Sequence, residues 1–171
     1  MPPGHDRDEI FHESLEQEAT FILEESRMVL PGIQALFGFQ LIAVFNQGFA
    51  EKLSPAEQIL HLLAFGMVAV ATALIITPAA YHRQAEREQV SEYFVRLASR
   101  LLTVALLFLL AATSLDAFLV ARIVTGVAGI SAAIAAALAL VFFGLWFVFP
   151  RIGRRLRRRS TGREATRRAT G

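Results

Sequence analysis

Two side chains four residues apart, Glu57 and His61, are the first candidates for chemistry in this sequence. At helical spacing they share one face, and Thr72 falls within about 60° of them. A carboxylate beside an imidazole can bind a cation or exchange a proton, and such residues inside a membrane span would mark a functional position. The same spacing also suits a plain interfacial hydrogen bond, so the pair alone leaves both interpretations open.

Further polar residues join this pair if the uncharged runs around them cross a membrane. The predicted topology gathers six residues toward the outer leaflet: Asn46, Gln47, Glu57, His61, Asp116 and Arg122. It gathers a second set near the cytoplasmic surface: Arg27, Gln34, Tyr81, His82, Arg83 and Arg100. The first set predicts an outward-facing polar pocket or only interfacial hydrogen bonds. The second predicts contact with an anionic lipid or phosphate, or an ordinary ion pair to Glu24 or Glu25.

A metal centre and a catalytic site are not expected. His61 and His82 lie on what is mainly one predicted helix, and their 21-residue separation places them about 31 Å apart. The chain has no cysteine and no HExxH, GxSxG, P-loop or dinucleotide-binding motif. We therefore expect no metal, no cofactor and no enzymatic activity.

The elements that position these residues follow from hydropathy. The chain has 171 residues, of which 54% are hydrophobic and 19% charged, and the charges are concentrated at the ends and in one connection. A bilayer core of about 30 Å needs about 20 helical residues, and the long apolar runs lack the alternation of barrel strands. The sequence predicts an all-α, integral membrane four-helix bundle made of two transmembrane hairpins, with spans at about 28–50, 57–80, 97–115 and 122–149.

Arginine and lysine predict the orientation of these spans. Fifteen of them fall on the side that holds both termini and the connection between spans two and three, and two fall on the other side. The first 27 residues hold eight acids against two arginines, unlike a secretory signal. The positive-inside rule places both termini in the cytoplasm. The choice of arginine over lysine suggests a GC-rich bacterial genome, and the expected location is a bacterial inner membrane.

The two termini are predicted to be cytoplasmic arms of opposite charge. Residues 1–27 form an acidic, partly helical arm, which either packs its apolar face on a protein surface or is solvated and simply leads into span one. Residues 151–171 form a basic, disordered tail that attracts anionic lipid headgroups. We expect no nucleic-acid partner. The apolar face of the arm carries Phe11, Leu15, Ala19 and Ile22.

Local signals predict where helices begin and end. The run Ser54-Pro55-Ala56-Glu57 predicts a capping box at the start of span two. Pro31 predicts a kink or a fresh helix start. The run from Thr113 to Asp116 resembles another capping signal, so residues 115–122 are expected to form a short interfacial helix or to extend span four.

Span four is rich in small residues, which permit close approach between helices. Packing within the chain is the ordinary use of such a surface, and homodimerisation is the alternative. The residues concerned are Gly126, Gly129, Ala132, Ala133, Ala136, Ala137 and Ala139.

Two segments resemble a known family. ESRMVLPGIQALFGFQ, from Glu25 to Gln40, and TPAAYHR, from Thr77 to Arg83, are similar to those of a bacterial membrane-protein family catalogued as domain of unknown function 6328. The resemblance extends from about Glu24 to the end of span four. It implies a membrane location, and it implies no catalytic residue because the family has no assigned activity.

A structural or accessory membrane component fits these features best, acting through helix packing and its charged arms. Its partners would be the lipid bilayer, anionic headgroups at the tail, and a second copy or another membrane protein. The alternative is a small oligomeric transporter or channel. Its predicted lining is Gln40, Gln47, His61 and Thr72.

Overall fold

The chain is all-helical through the part that the computed structural model describes, namely the backbone of residues 5–85 and 90–153 and the side chains from residue 15 onward within those ranges. Four of its helices are long and apolar enough to cross a membrane. The predicted all-α bundle of four long helices is therefore confirmed. The helices are α1 (His5–Val44), α2 (Gln47–Lys52), α3 (Pro55–Ala85), α4 (Glu92–Thr125) and α5 (Ala128–Phe143), the last continuing through a π-helical turn at Gly144–Val148 to residue 153.

We call the two ends of the bundle the loop end and the tail end. The loop end carries the α1–α3 connection, residues 45–54, and the α4–α5 connection, residues 126–127. The tail end lies opposite, where α3 ends and α4 begins. Helices α1, α3 and α4 pack on one another, whereas α5 packs chiefly on α4.

Helices α1, α3 and α4 meet along a seam of buried residues. In α3 these residues recur at alternating steps of four and three, an average period of 3.5, which is the spacing of coiled-coil-like helix packing. Several seam positions of α3 and α4 are fully buried alanines, which let the two backbones approach closely. The buried residues of α3 are Glu57, His61, Ala64, Val68, Ala71, Ile75 and Pro78.

The N-terminal half of α1 packs on its own chain. Leu15, Ala19 and Ile22 are buried against Phe94 and Val95 at the start of α4. The apolar face predicted for the acidic arm thus contacts a protein surface, and that surface belongs to the same subunit. Phe11, the fourth predicted member, lies outside the described side chains.

Pro31 lies inside α1, so the prediction that a fresh helix starts there is wrong. Membrane helices tolerate an internal proline where neighbouring groups satisfy the freed carbonyl. Here Ser26 and Ile33, seven residues apart on either side of Pro31, are both buried. The seam therefore continues through the proline, and packing on both sides holds the helix together.

The third span corrects a second expectation. Residues 115–122 form neither an interfacial helix nor an extension of span four, because α4 continues to Thr125 and α5 begins at Ala128. The hydroxyls of Thr113 and Ser114 donate to the carbonyls of Leu109 and Leu110, so they do not cap a new helix. The third span thus ends about ten residues later than residue 115, and the fourth begins later than residue 122.

The helix ends instead at Gly126, which has a φ of 69°. Its amide donates to the carbonyl of Arg122 at 3.0 Å, the hydrogen bond of a left-handed C-terminal cap. This turn reverses the chain into α5.

The small residues of span four do not pack within the chain in the way that was expected from the sequence. Ala139 is half-buried, while the remaining six positions are exposed. A side chain added at Gly129 would meet nothing within 4 Å. The close packing within the chain uses the alanines of α3 and α4 instead.

Candidate functional site

The start of α3 fixes Glu57 at the loop end. Ser54 donates from its amide and its hydroxyl to Oε2 of Glu57, at 2.9 and 2.8 Å. The amide of Glu57 in turn faces Oγ of Ser54 at 3.4 Å, which completes the predicted capping box. Because Glu57 and His61 are also seam residues, the helix start directs both toward the neighbouring helices.

Glu57 forms an ion pair across the hairpin. Nε of Arg122 in α4 donates to Oε1 of Glu57 at 2.5 Å, and the two side chains are 23% and 11% exposed. Nη1 of Arg122 also donates to the carbonyl of Gly126 at 2.6 Å. One arginine therefore links the start of α3 to the turn that follows α4.

One turn deeper, a second polar group joins three helices. Nε2 of Gln40 in α1 donates to Oδ2 of Asp116 in α4 at 2.7 Å. Nδ1 of His61 in α3 lies 3.8 Å from Oδ1 of Asp116, too far for a direct hydrogen bond but within reach of electrostatic attraction when the ring is protonated. We call Gln40, His61 and Asp116 the polar layer.

The tautomer of His61 follows from its other contact. Nε2 lies 3.0 Å from the backbone carbonyl of Gln40. A carbonyl oxygen only accepts, so Nε2 carries the proton. A neutral His61 thus turns the lone pair of Nδ1 toward Asp116, and a protonated His61 gives the carboxylate a cationic neighbour.

A cavity of about 220 Å³ adjoins the polar layer, and Gln40, His61 and Asp116 all line it. The remaining lining is apolar and comes from α1, α4 and the α1–α3 connection. Phe49 of α2 lies edge-on to the His61 ring, with the ring centroids 5.0 Å apart. An apolar cavity with a few convergent polar groups is the usual form of a small-ligand site.

Two residues of the predicted outer set lie elsewhere. Oδ1 of Asn46 accepts from the amide of Gly48 and caps α2, and Gln47 is exposed at the start of that helix. Sequence reasoning left Gln40 out of this set, although it is 3% exposed and central to the polar layer. The seven-residue step from Ile33 to Gln40 along the α1 seam is the signal that would have found it.

The predicted lining of a pore is divided between separate places. Gln40 and His61 share the cavity of the polar layer. Thr72 lines a different cavity with Gln34, and its hydroxyl donates to the carbonyl of Val68. With Gln47 exposed on α2, the four residues do not share one surface within the subunit.

At the tail end, three of the six predicted residues share a cavity. Arg27 of α1 and His82 and Arg83 of α3 line a space of about 290 Å³. Nδ1 of His82 is buried with no hydrogen-bond partner within the described residues. The alternative prediction for Arg27 was an ion pair with Glu24 or Glu25. Among the described residues neither glutamate forms an ion pair with Arg27.

The other three members of the tail-end set are separate from this cavity. Tyr81 stacks on Phe94, with ring centroids 6.0 Å apart. Gln34 lies with Thr72, as described above, and Arg100 is exposed. The tail-end cluster is therefore smaller than predicted.

Within the described ranges no group of three or more histidine, aspartate or glutamate side chains is placed to hold a metal ion. His61 and His82 lie at opposite ends of α3, as their spacing predicted. The polar layer is suited instead to hydrogen bonding and to binding one positive charge.

Four helices that are long and apolar enough to cross a bilayer indicate a multi-pass membrane protein. The model of a family of unknown function, DUF6328, matches residues 8–150, and the chain belongs to this family. Comparison with curated proteins and with solved structures gives no match.

Proposed function

We propose that the protein is a structural or accessory component of the membrane and not an enzyme. The observations that carry this proposal are two contacts between helices: the ion pair of Glu57 with Arg122 and the hydrogen bond from Gln40 to Asp116. Charges engaged in this way hold a bundle together at a defined register. The sequence also has no HExxH, GxSxG, P-loop or dinucleotide-binding motif.

Helix α5 supports an accessory role because most of its surface is free of the chain. Only 6% of its most apolar stretch is buried within the subunit, against 28% for α3 and for α4. The small residues on it allow another transmembrane helix to approach closely. A second copy or a different membrane protein is the proposed partner of this face.

The proposed location is a bacterial inner membrane, with both termini in the cytoplasm. The described loop-end connections contain Lys52, with Arg122 close by, whereas Arg83, Arg96 and Arg100 lie toward the tail end. The positive-inside rule favours this orientation. The basic tail, of which residues 154–171 lie outside the described part, and the Arg27–Arg83 cavity are the proposed contacts with anionic headgroups. No nucleic-acid partner is proposed.

Site-directed photo-crosslinking in native membranes tests the accessory role. A photo-reactive residue in place of exposed Ala133 of α5 is expected to capture one defined protein partner. The same residue in place of exposed Ile59 of α3 is the matched control and is expected to capture lipid only. The absence of a defined adduct at Ala133, or identical adducts at both positions, would contradict the proposal.

An oligomeric transporter or channel is the alternative, and the cavity beside Gln40 and His61 is the observation that favours it. Such a pore would require these residues to face a shared axis between subunits. A crosslinked product containing only copies of this chain, together with ion or solute flux in reconstituted vesicles, would support this alternative over the accessory role.

A further inference from the structure

The cavity beside the polar layer, at the loop end of the bundle, has features of a binding site that do not depend on the accessory role. It lies between α1 and α4 and is covered on one side by Phe49 of α2. Its lining includes Phe39 and Val120, which are 70% and 61% exposed on the outer surface of the helices. A molecule dissolved in the bilayer can therefore approach it from the side.

Within the described residues, Asp116 forms no ion pair with an arginine or a lysine. Its carboxylate receives a hydrogen bond from Gln40 and faces His61, which is cationic only when protonated. Arg122, six residues further along α4, is engaged with Glu57 and with the carbonyl of Gly126. When Asp116 is ionised and His61 is neutral, the polar layer carries one negative charge that an incoming cation could balance.

Gln40, which also lines the cavity, carries a hydrogen-bond acceptor that no described residue uses. Its Nε2 is directed to Asp116, which fixes the orientation of the amide, because an oxygen in that position would oppose the carboxylate. Its Oε1 is buried and has no hydrogen-bond partner within the described part of the chain. A buried acceptor of this kind is costly until a donor reaches it.

The rest of the lining would accommodate hydrocarbon. The aromatic rings of Phe39 and Phe49 supply apolar surface, and the negative potential of a ring face suits a nearby cation. Aliphatic side chains complete the wall. The aliphatic members are Leu36, Ala43, Leu53, Leu119, Val120 and Ile123. Two acceptors within an apolar lining favour a ligand with an N–H-bearing positive charge on an apolar body.

We propose that this cavity binds the primary ammonium group of an amphipathic molecule, with the ammonium hydrogen-bonded to Asp116 and Oε1 of Gln40 and the apolar part against Phe39 and Phe49. The same chemistry is offered by a small free amine and by an aminolipid headgroup. A cavity of about 220 Å³ is sufficient for a compound with one aromatic ring.

Two probes of nearly equal shape test the charge. The full chain is placed in phosphatidylcholine nanodiscs and titrated calorimetrically with benzylammonium and with neutral benzyl alcohol. We expect benzylammonium to bind at least about tenfold more tightly, since hydrogen bonds to a charged group outweigh neutral ones. Asp116→Asn is expected to abolish this preference. Equal affinity for the two probes, or no binding of benzylammonium, would overturn the proposal.

A second variant keeps the test valid if Asp116→Asn does not fold. Ala43→Phe fills the cavity from α1 and leaves the residue at position 116 unchanged, whereas Ala69→Phe places the same ring on an exposed position of α3. Ala43→Phe is expected to reduce benzylammonium affinity at least about tenfold, and Ala69→Phe to leave it unchanged. Equal effects of the two variants would count against this cavity as the site.

The two sources of the ammonium group are separated by lipid composition. If an aminolipid is the occupant, phosphatidylethanolamine in the nanodisc competes with benzylammonium and is retained by the wild type but not by Ala43→Phe in native mass spectrometry. If a free amine is the occupant, phosphatidylethanolamine leaves the benzylammonium affinity unchanged. Both results support an ammonium site and identify its ligand class.

Discussion

Arg122 illustrates how a charged residue is accommodated near the end of a membrane helix. Its guanidinium donates to Glu57 of α3 and to the carbonyl of Gly126, so it has partners in the hairpin and in the turn. Glu57 is held in addition by the amide and hydroxyl of Ser54. Charged side chains in such positions are tolerated where they are paired and hydrogen-bonded.

The ion pair predicts the effect of Glu57→Gln. Glutamine preserves the capping box but leaves the largely buried Arg122 without a counter-charge, so the free energy of unfolding is expected to fall by about 1–3 kcal/mol. Denaturant titration in mixed micelles measures it. The exposed pair Glu92–Arg96 is the control, and Glu92→Gln is expected to cost less than about 1 kcal/mol. Equal losses would show that the Glu57 contact contributes no more than a surface pair.

The sequence predicted most of the residues of this site but not which of them form pairs. The spacing of Glu57 and His61 and the topology place both at the same end as Asp116 and Arg122. The pairing depends on how α4 is rotated against α3, which residue spacing within one helix does not determine. Asn46 was misassigned because its side chain satisfies the backbone of α2 instead.

At the scale of helices, the sequence offers two possible ends for α4, one near Thr113 and Ser114 and one at Gly126. Thr113 and Ser114 have the residue types of a cap, but their hydroxyls bond back to carbonyls four residues earlier and the helix continues. Gly126 ends it because its positive φ reverses the chain at low cost. A capping signal inside an apolar run is therefore weaker evidence for a boundary than a glycine beyond a basic last turn.

Gly126→Ala tests the left-handed turn. A residue with a Cβ in this conformation is strained, so the free energy of unfolding is expected to fall by about 1–2 kcal/mol. Gly129→Ala is the matched control, since Gly129 lies in helical backbone and its added methyl group would meet nothing within 4 Å. The comparison uses the same denaturant titration. An equal effect at both glycines would contradict the role assigned to Gly126.

For the whole molecule, hydropathy predicted the class and number of spans because burial in lipid requires long helices whatever their partners. It did not predict that α1, α3 and α4 form the tight core while α5 packs chiefly on α4. The mean hydropathy is 1.4 for the first span and 2.3 to 2.5 for the other three, so it does not separate α3 and α4 in the core from α5 at its edge. The arrangement depends instead on the 3.5-residue seams and on the alanines that allow close approach.

Orientation is the property of the whole molecule that labelling can decide, and the absence of cysteine from the chain gives a clean background. Glu51→Cys at the loop end and Tyr93→Cys at the tail end both introduce exposed thiols. Because the arginines lie mainly toward the tail end, we expect a membrane-impermeant maleimide to label Cys at position 51, and not at position 93, in intact cells. Permeabilised cells provide the control and should label both. Labelling of position 93 alone in intact cells would invert the orientation, place the polar layer toward the cytoplasm and require its ammonium ligand to come from that side.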